Sequence, residues 1–210
     1  QIDFEDRITQ SADIQITTQE AQELEDSGFS GASGLRSFRF YVNDFNTTTR
    51  GVDIVATYPF SINGGDSELN LTYNYNTTEV THFNPVTLDD LRIRQIEDSI
   101  PTQRGNLSWR HVQGQWRILL RANYFGNYWL AHVGDPNLII EPSAEFTLDA
   151  EIAYDFGTNN QYNVVVGVEN LFNNFPNTNP YSNLTGSKYP EHSPMGNAGG
   201  TYYMRLRYSF

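Results

Sequence analysis

The sequence predicts an all-β fold, an antiparallel segment of transmembrane β-barrel made of about eight consecutive strands. Three observations lead there. Apolar and polar residues alternate with period two through nearly the whole chain. The connections between these runs are alternately long and short. Aromatic residues make up 14% of the chain while the hydrophobic fraction is only 38%. A soluble domain so rich in Tyr, Phe and Trp would carry more Leu, Ile and Val around them. A barrel instead places aromatics at two membrane interfaces and polar groups in a wet interior.

The strands are expected at 1–10, 36–60, 67–83, 103–112, 115–128, 144–156, 161–171 and 200–210. The second reads as one long strand because Phe38, Phe40 and Val42 share parity with Val52, Ile54, Ala56, Tyr58 and Phe60 across a polar middle. Val52 to Phe60 is long enough to cross a bilayer at a tilt. In the third, Leu69, Leu71, Tyr73 and Tyr75 oppose Glu68, Asn70, Thr72 and Asn74. In the fifth, Trp116, Ile118, Leu120, Ala122 and Tyr124 oppose a face carrying Arg117 and Arg121; in the sixth, Phe146, Leu148, Ala150, Ile152, Tyr154 and Phe156 oppose Glu145, Asp149, Glu151 and Asp155. The last strand is the clearest. Tyr202, Met204, Leu206, Tyr208 and Phe210 share one face, and Arg205 and Arg207 lie on the other. A helix would scatter each set around its circumference.

Loops 11–34, 84–102, 129–143 and 172–199 are long, and turns 61–66, 113–114 and 157–160 are short. With the C-terminus on the periplasmic side, every long loop falls outside the cell, the asymmetry of outer-membrane barrels. Thr18 to Asp26 and the segment opened by Thr87-Leu88-Asp89-Asp90, which resembles a capping box, are expected as single helical turns within loops.

The net charge of −12 excludes an electrostatic grip on nucleic acid. The absence of cysteine excludes disulfides and thiolate metal sites. No run approaches the length of a membrane helix, the purest being Val164 to Val168. The chain begins at Gln1 without a basic or apolar leader, so any signal peptide is expected outside it. Neither a nucleophile elbow nor a phosphate-cradling loop is present, and no enzyme activity and no cofactor are expected.

Several stretches resemble the TonB-dependent outer-membrane receptors: Asn46-Thr47-Thr48-Thr49-Arg50-Gly51-Val52-Asp53, Ile100-Pro101-Thr102-Gln103-Arg104, Val168-Glu169-Asn170-Leu171-Phe172-Asn173-Asn174, and Gly199 through Phe210. They occur in the family's order from about residue 36 to the end. The resemblance implies a barrel of about 22 strands around an N-terminal plug, residues 1–210 being the C-terminal part of the barrel and the plug and earlier strands lying elsewhere. It also implies a multi-pass location in the Gram-negative cell outer membrane and import of a scarce ligand such as a ferric siderophore, cobalamin or a glycan. The partners implied are outer-membrane lipid, the rest of the barrel, the plug, the barrel-assembly machinery and, through the plug, the TonB complex.

Four groups of residues are candidates for function. Phe210, Tyr208, Leu206, Met204 and Tyr202 match the signal read by the assembly machinery. Trp129, His132, Tyr181, Tyr189 and His192 lie in outer loops, where they can stack on a ligand or simply pack the loop. The inner charges Arg104, Arg110, Arg117, Arg121, Asp149, Glu151, Asp155, Glu169, Arg205 and Arg207 are expected to pair across strands and face the plug. The register that maximises such pairing sets Arg117 opposite Asp155 and Arg121 opposite Glu151. The four histidines are scattered, so no metal site is expected. Two other architectures compete. A complete eight-stranded barrel serving adhesion or envelope stability could close, but its narrow lumen would crowd Phe125, Leu119, Tyr203 and so many charges. A soluble carbohydrate-binding β-sandwich would bury Tyr208 and Leu206, yet has no reason to alternate its loop lengths.

Overall fold

A computed structural model describes residues 1–132 and 135–209. Phe210, the last residue of the expected assembly signal, lies outside them. One antiparallel sheet of eight strands dominates: β1 (Ile2–Gln10), β4 (Tyr41–Ile62), β5 (Gly65–His82), β6 (Gln103–Gln113), β7 (Trp116–Phe125), β10 (Glu145–Phe156), β11 (Tyr162–Glu169) and β12 (Thr201–Tyr208). They lie side by side in chain order, and the sheet is open, with β1 and β12 as its edges. The open sheet rules out the small closed barrel, and among the described residues no second sheet of comparable size packs over it as a sandwich requires. Two further pairs sit in loops: β2 (Ile14–Gln15) with β3 (Ser37–Phe38), and β8 (Leu130–His132) with β9 (Asp135–Ile140).

The chain divides into two compact units. One comprises residues 1–50 and 77–97, the other residues 51–76 and 98 onward. In the first, β1 pairs with Tyr41 to Thr49 of β4, with irregularities around Arg7. Helix α1 (Thr18–Asp26) is nine residues long, with a complete capping box between Thr17 and Glu20. Helix α2 (Asp90–Asp98) follows a loop whose Leu88 is buried with Phe45 and Val80, and Ile93 and Ile96 of the helix pack on that cluster. Arg92 fixes the helix by donating to the Thr9 hydroxyl (2.8 Å) and the Gln10 carbonyl (3.0 Å).

Two expectations need correction here. The strand expected at 36–60 is interrupted. Phe40 bonds to Ser11 (N–H to Oγ, 3.2 Å), and Arg39 forms a two-pronged pair with Asp13, both contacts at 2.7 Å. These bonds divert residues 37–40 from the main sheet, and β4 starts at Tyr41. The second helix is capped by Asp89, whose carboxylate accepts from the Arg92 N–H (2.8 Å), whereas the Thr87 hydroxyl donates to Asp44. Both helices also exceed the single turns expected of them.

In the second unit the strands are joined by tight turns at one end and long loops at the other. The β4–β5 turn is Asn63-Gly64, both at positive φ (52° and 79°), the geometry a two-residue hairpin needs to match strand twist. The opposite end carries the outer loops. The loop expected at 129–143 contains the β8–β9 hairpin, and that at 172–199 contains the short helix α3 (Ser182–Thr185).

Candidate functional site

One face of this wall is apolar and uncovered. Tyr202, Met204, Leu206 and Tyr208 are 77%, 65%, 72% and 53% exposed. Near the short turns, rings run from strand to strand across this face. Trp116 meets Tyr154 (4.4 Å between centroids), Tyr154 meets Phe156 (6.0 Å), Phe156 meets Tyr162 (5.2 Å), and Tyr162 meets Tyr208 (5.1 Å). At the loop end Tyr124 packs at a tilt against Phe146 (4.9 Å between centroids). Two aromatic belts bounding an apolar band are the signature of a lipid-facing barrel surface.

The other face is a hydrogen-bonded polar surface. Asn123 joins three strands: Asn106 meets it at 2.7 Å, and its own amide nitrogen donates to Thr147 (2.9 Å) and Asp149 (3.0 Å). The second oxygen of Asp149 accepts the backbone N–H of Asn170 (2.9 Å). That residue opens the Asn170-Leu171-Phe172-Asn173-Asn174 turn, in which Asn170 and Asn173 both take positive φ. Asn174 reaches the Phe146 carbonyl (2.9 Å), and Asn173 accepts the Gly200 N–H (2.9 Å). The motif is thus an asparagine-braced turn that ties the ends of β10, β11 and β12 together.

Gly167 lies directly between Glu151 on β10 and Tyr203 on β12. A Cβ there would collide with the Tyr203 ring, which lies across the glycine. This lets the Tyr203 hydroxyl reach Glu151 (2.8 Å), where Arg205 also binds (2.7 Å). Asp155 accepts from Asn163 (2.6 Å).

The expected register of β7 against β10 is therefore wrong by one pair. Arg121 lies opposite Asp149 and Arg117 opposite Ala153, while Glu151 faces Leu119. Neither Arg117–Asp155 nor Arg121–Glu151 forms, Glu151 being engaged by Arg205 and Asp155 by Asn163. The reason lies on the opposite face. The observed register aligns Trp116 with Tyr154 and Tyr124 with Phe146. The expected one would keep an aromatic partner, Phe156, for Trp116 but set Tyr124 against Leu148, so the observed register gains one aromatic pair. Such aromatic pairs contribute about 0.5–1.5 kcal/mol each, against about 0.2–1 kcal/mol for an exposed ion pair. The Asn123 amide adds bonds that the shifted register would break.

At the outer end, the loops leading into and out of β8 and β9 pack against the loop before β12. Tyr128 and Trp129 are buried, so loop packing accounts for Trp129. Ser143 donates twice to the Asn177 side chain, from N–H and hydroxyl (2.8 and 2.9 Å). His132 lies 3.1 Å from Glu191, and Ser193 donates to the buried Glu145 (3.4 Å). Burial, then the nearby Glu145, push the Tyr128 hydroxyl up to about 12, with Ser193 acting in the opposite direction. Tyr189 stacks on Phe175 at 5.7 Å with Lys188 over its ring, Tyr181 precedes α3, and His192 is exposed. Among the loop candidates, His132 is brought to the segment of His192 through Glu191, and a backbone bond from Asn179 to Lys188 holds the segments of Tyr181 and Tyr189 together. Sequence reading missed Asn106, Asn123 and Tyr203. The signal for the two asparagines was present as polar residues of inner-face parity opposite one another, and that for Tyr203 as an inner-face aromatic opposite Gly167.

These features define the wall of an outer-membrane β-barrel. The model of the family described as TonB dependent receptor-like, β-barrel, matches residues 1–171, and the chain belongs to that family, which places it in the bacterial outer membrane. The structure is similar to the crystal structure of the outer membrane transporter YddB from Escherichia coli, with a TM-score of 0.58 and 9% identity. The likeness covers 99% of this chain and 29% of that one, and concerns the fold. No curated protein matches the sequence.

Proposed function

We propose that this chain is part of the barrel wall and outer loops of a TonB-dependent active transporter that imports a scarce ligand, in the class of ferric siderophores, cobalamin or glycans. The two-sided wall carries this reading, with a belted apolar exterior and a hydrogen-bonded interior that only a wet lumen can accommodate. The chain spans 29% of the length of the YddB transporter; the remaining strands, a plug and coupling to the TonB complex belong to the proposal. Within it, Tyr181, Tyr189, His132 and His192 touch ligand at the outer mouth. Phe210, with Tyr208, Leu206, Met204 and Tyr202, forms the register read by the assembly machinery. Growth of a receptor-deletion strain on limiting ferric siderophores, cobalamin or glycans tests the transport reading. Loss of growth on one ligand class, restored by the receptor and abolished without TonB, is the expected result. Growth indistinguishable from the parent on every class would sink it.

A further inference from the structure

Six of the chain's 13 cationic residues lie on the inner face of the second unit: Arg104, Arg110, Arg117, Arg121, Arg205 and Arg207. In a chain of net charge −12 such a concentration calls for an explanation, and internal ion pairing does not supply one. Arg205 binds Glu151. Among the described residues, the side chains of Arg104, Arg110, Arg117 and Arg121 have neither a hydrogen-bond nor an ion-pair partner. Carboxylates stand directly across from two of them. Glu68 is opposite Arg110, and Asp149 is opposite Arg121. Amides have taken those carboxylates instead, Asn70 binding Glu68 (2.7 Å) and Asn123 with the Asn170 backbone binding Asp149.

The four arginines share one seam. The register of β6 and β7 sets Arg104 level with Phe125, Arg121 level with Ser108, Arg110 level with Leu119, and Arg117 level with Val112. They alternate between the two strands from the loop end to the turn end. From Phe125 to Arg117 the seam is about 27 Å long at ~3.4 Å per residue, close to the ~30 Å of a bilayer core. The inner surface is hollowed at two heights along it, and each hollow holds one of these arginines. Arg121 lines one of about 100 Å³ with Tyr203, Asp149, Glu151 and Glu169, and Arg117 one of about 440 Å³ with Arg205, Arg207, Glu151 and Asp155.

We propose that the β6–β7 seam is an anion track, in which Arg104, Arg121, Arg110 and Arg117 successively bind the carboxylate or phosphate groups of a multiply charged anionic solute crossing the lumen. Guanidinium groups form two-pronged hydrogen bonds with both kinds of oxyanion. Leaving the wall's own carboxylates to amides keeps those forks available. The inference rests on the transport reading and narrows its substrate to a polyanion.

The test is equilibrium binding to the purified complete receptor, with no energised transport involved. Inorganic tripolyphosphate and citrate serve as separate probes, and an uncharged oligosaccharide as control. Wild-type receptor is expected to bind at least one of the anions, more weakly as salt screens the site. The arm that binds tighter identifies phosphate or carboxylate as the preferred group. Joint Arg117→Gln and Arg121→Gln substitution should weaken binding about tenfold or more, while Arg121→Lys, which keeps the charge but loses the two-pronged geometry, should weaken it less than Arg121→Gln. Retained heat-modifiable mobility would show that the variants are folded. Equal affinity in the folded double variant, or no binding of either anion at low salt, would overturn the track. Neither result would bear on the growth experiment, so failure of the track is distinguishable from failure of the transport reading.

Discussion

The two halves of β4 carry the same alternation and use it in opposite ways. In Tyr41–Arg50 the buried apolar residue is Phe45, at an odd position, 2% exposed and covered by Leu88 and Val80. In Gly51–Ile62 the apolar residues at even positions, Val52, Ile54 and Tyr58, are 47% to 66% exposed. Alternation fixes that a strand has two faces. It does not fix which medium covers each, and a strand that passes from lipid to an outer loop can reverse its apolar side without losing register.

The difference can be broken most strongly at Phe45. Phe45→Ala opens a cavity under Leu88, Ile93 and Ile96 and should cost about 3–5 kcal/mol of local stability. The expected result is faster amide exchange and protease cleavage in residues 83–102. An unchanged pattern would mean that α2 does not depend on this core. The lipid-facing counterpart is Ile152→Arg, which should cost about 2–4 kcal/mol if that face lies near the bilayer midplane. Folding yield into lipid vesicles reads it, and a yield equal to wild type would show that water, not lipid, covers this surface.

Gly167→Val tests the inner face. The added side chain displaces the Tyr203 ring and breaks its bond to Glu151, at about 1–3 kcal/mol for overpacking. A compensating Tyr203→Ala should recover much of the loss, and no recovery would assign the glycine another role. The smallest effect is at the loops. The folded-state value of Tyr128 is raised to about 12, so its neutral form is the one the fold favours. The stability it contributes is full below the ordinary tyrosine value near 10 and disappears as pH rises toward about 12. Tyrosine absorbance should show a late-titrating component near pH 12 that Tyr128→Phe reduces by one ring. A late step of undiminished amplitude in the variant would reassign it.

Much of the wall was legible in the residues because each strand needs only its own alternation to declare two faces. The terminal strand shows this, with Tyr202 to Tyr208 uncovered and Arg205 on the opposite side. The helix at Thr18–Asp26 was legible too, since Thr17 and Glu20 form a local cap. The break at Arg39-Phe40 was not, because the bonds that cause it come from Ser11 and Asp13 in a distant stretch. The asparagine turn was recognisable as a pattern, but its physical role depends on Asp149 and Phe146 of another strand.

The sequence by itself determined the eight strands of the main sheet, its two faces, the alternation of long and short connections and the family, all consequences of periodicity and short motifs. Only the tertiary structure decided the register between β7 and β10, the fate of the inner carboxylates and the burial of Trp129. Each of those is a competition between partners far apart in the chain. Opposite charges favoured one alignment, while one more aromatic pair on the far face and the Asn123 amide favoured another. Pairing terms of a fraction of a kcal/mol cannot be ranked until the strands are side by side.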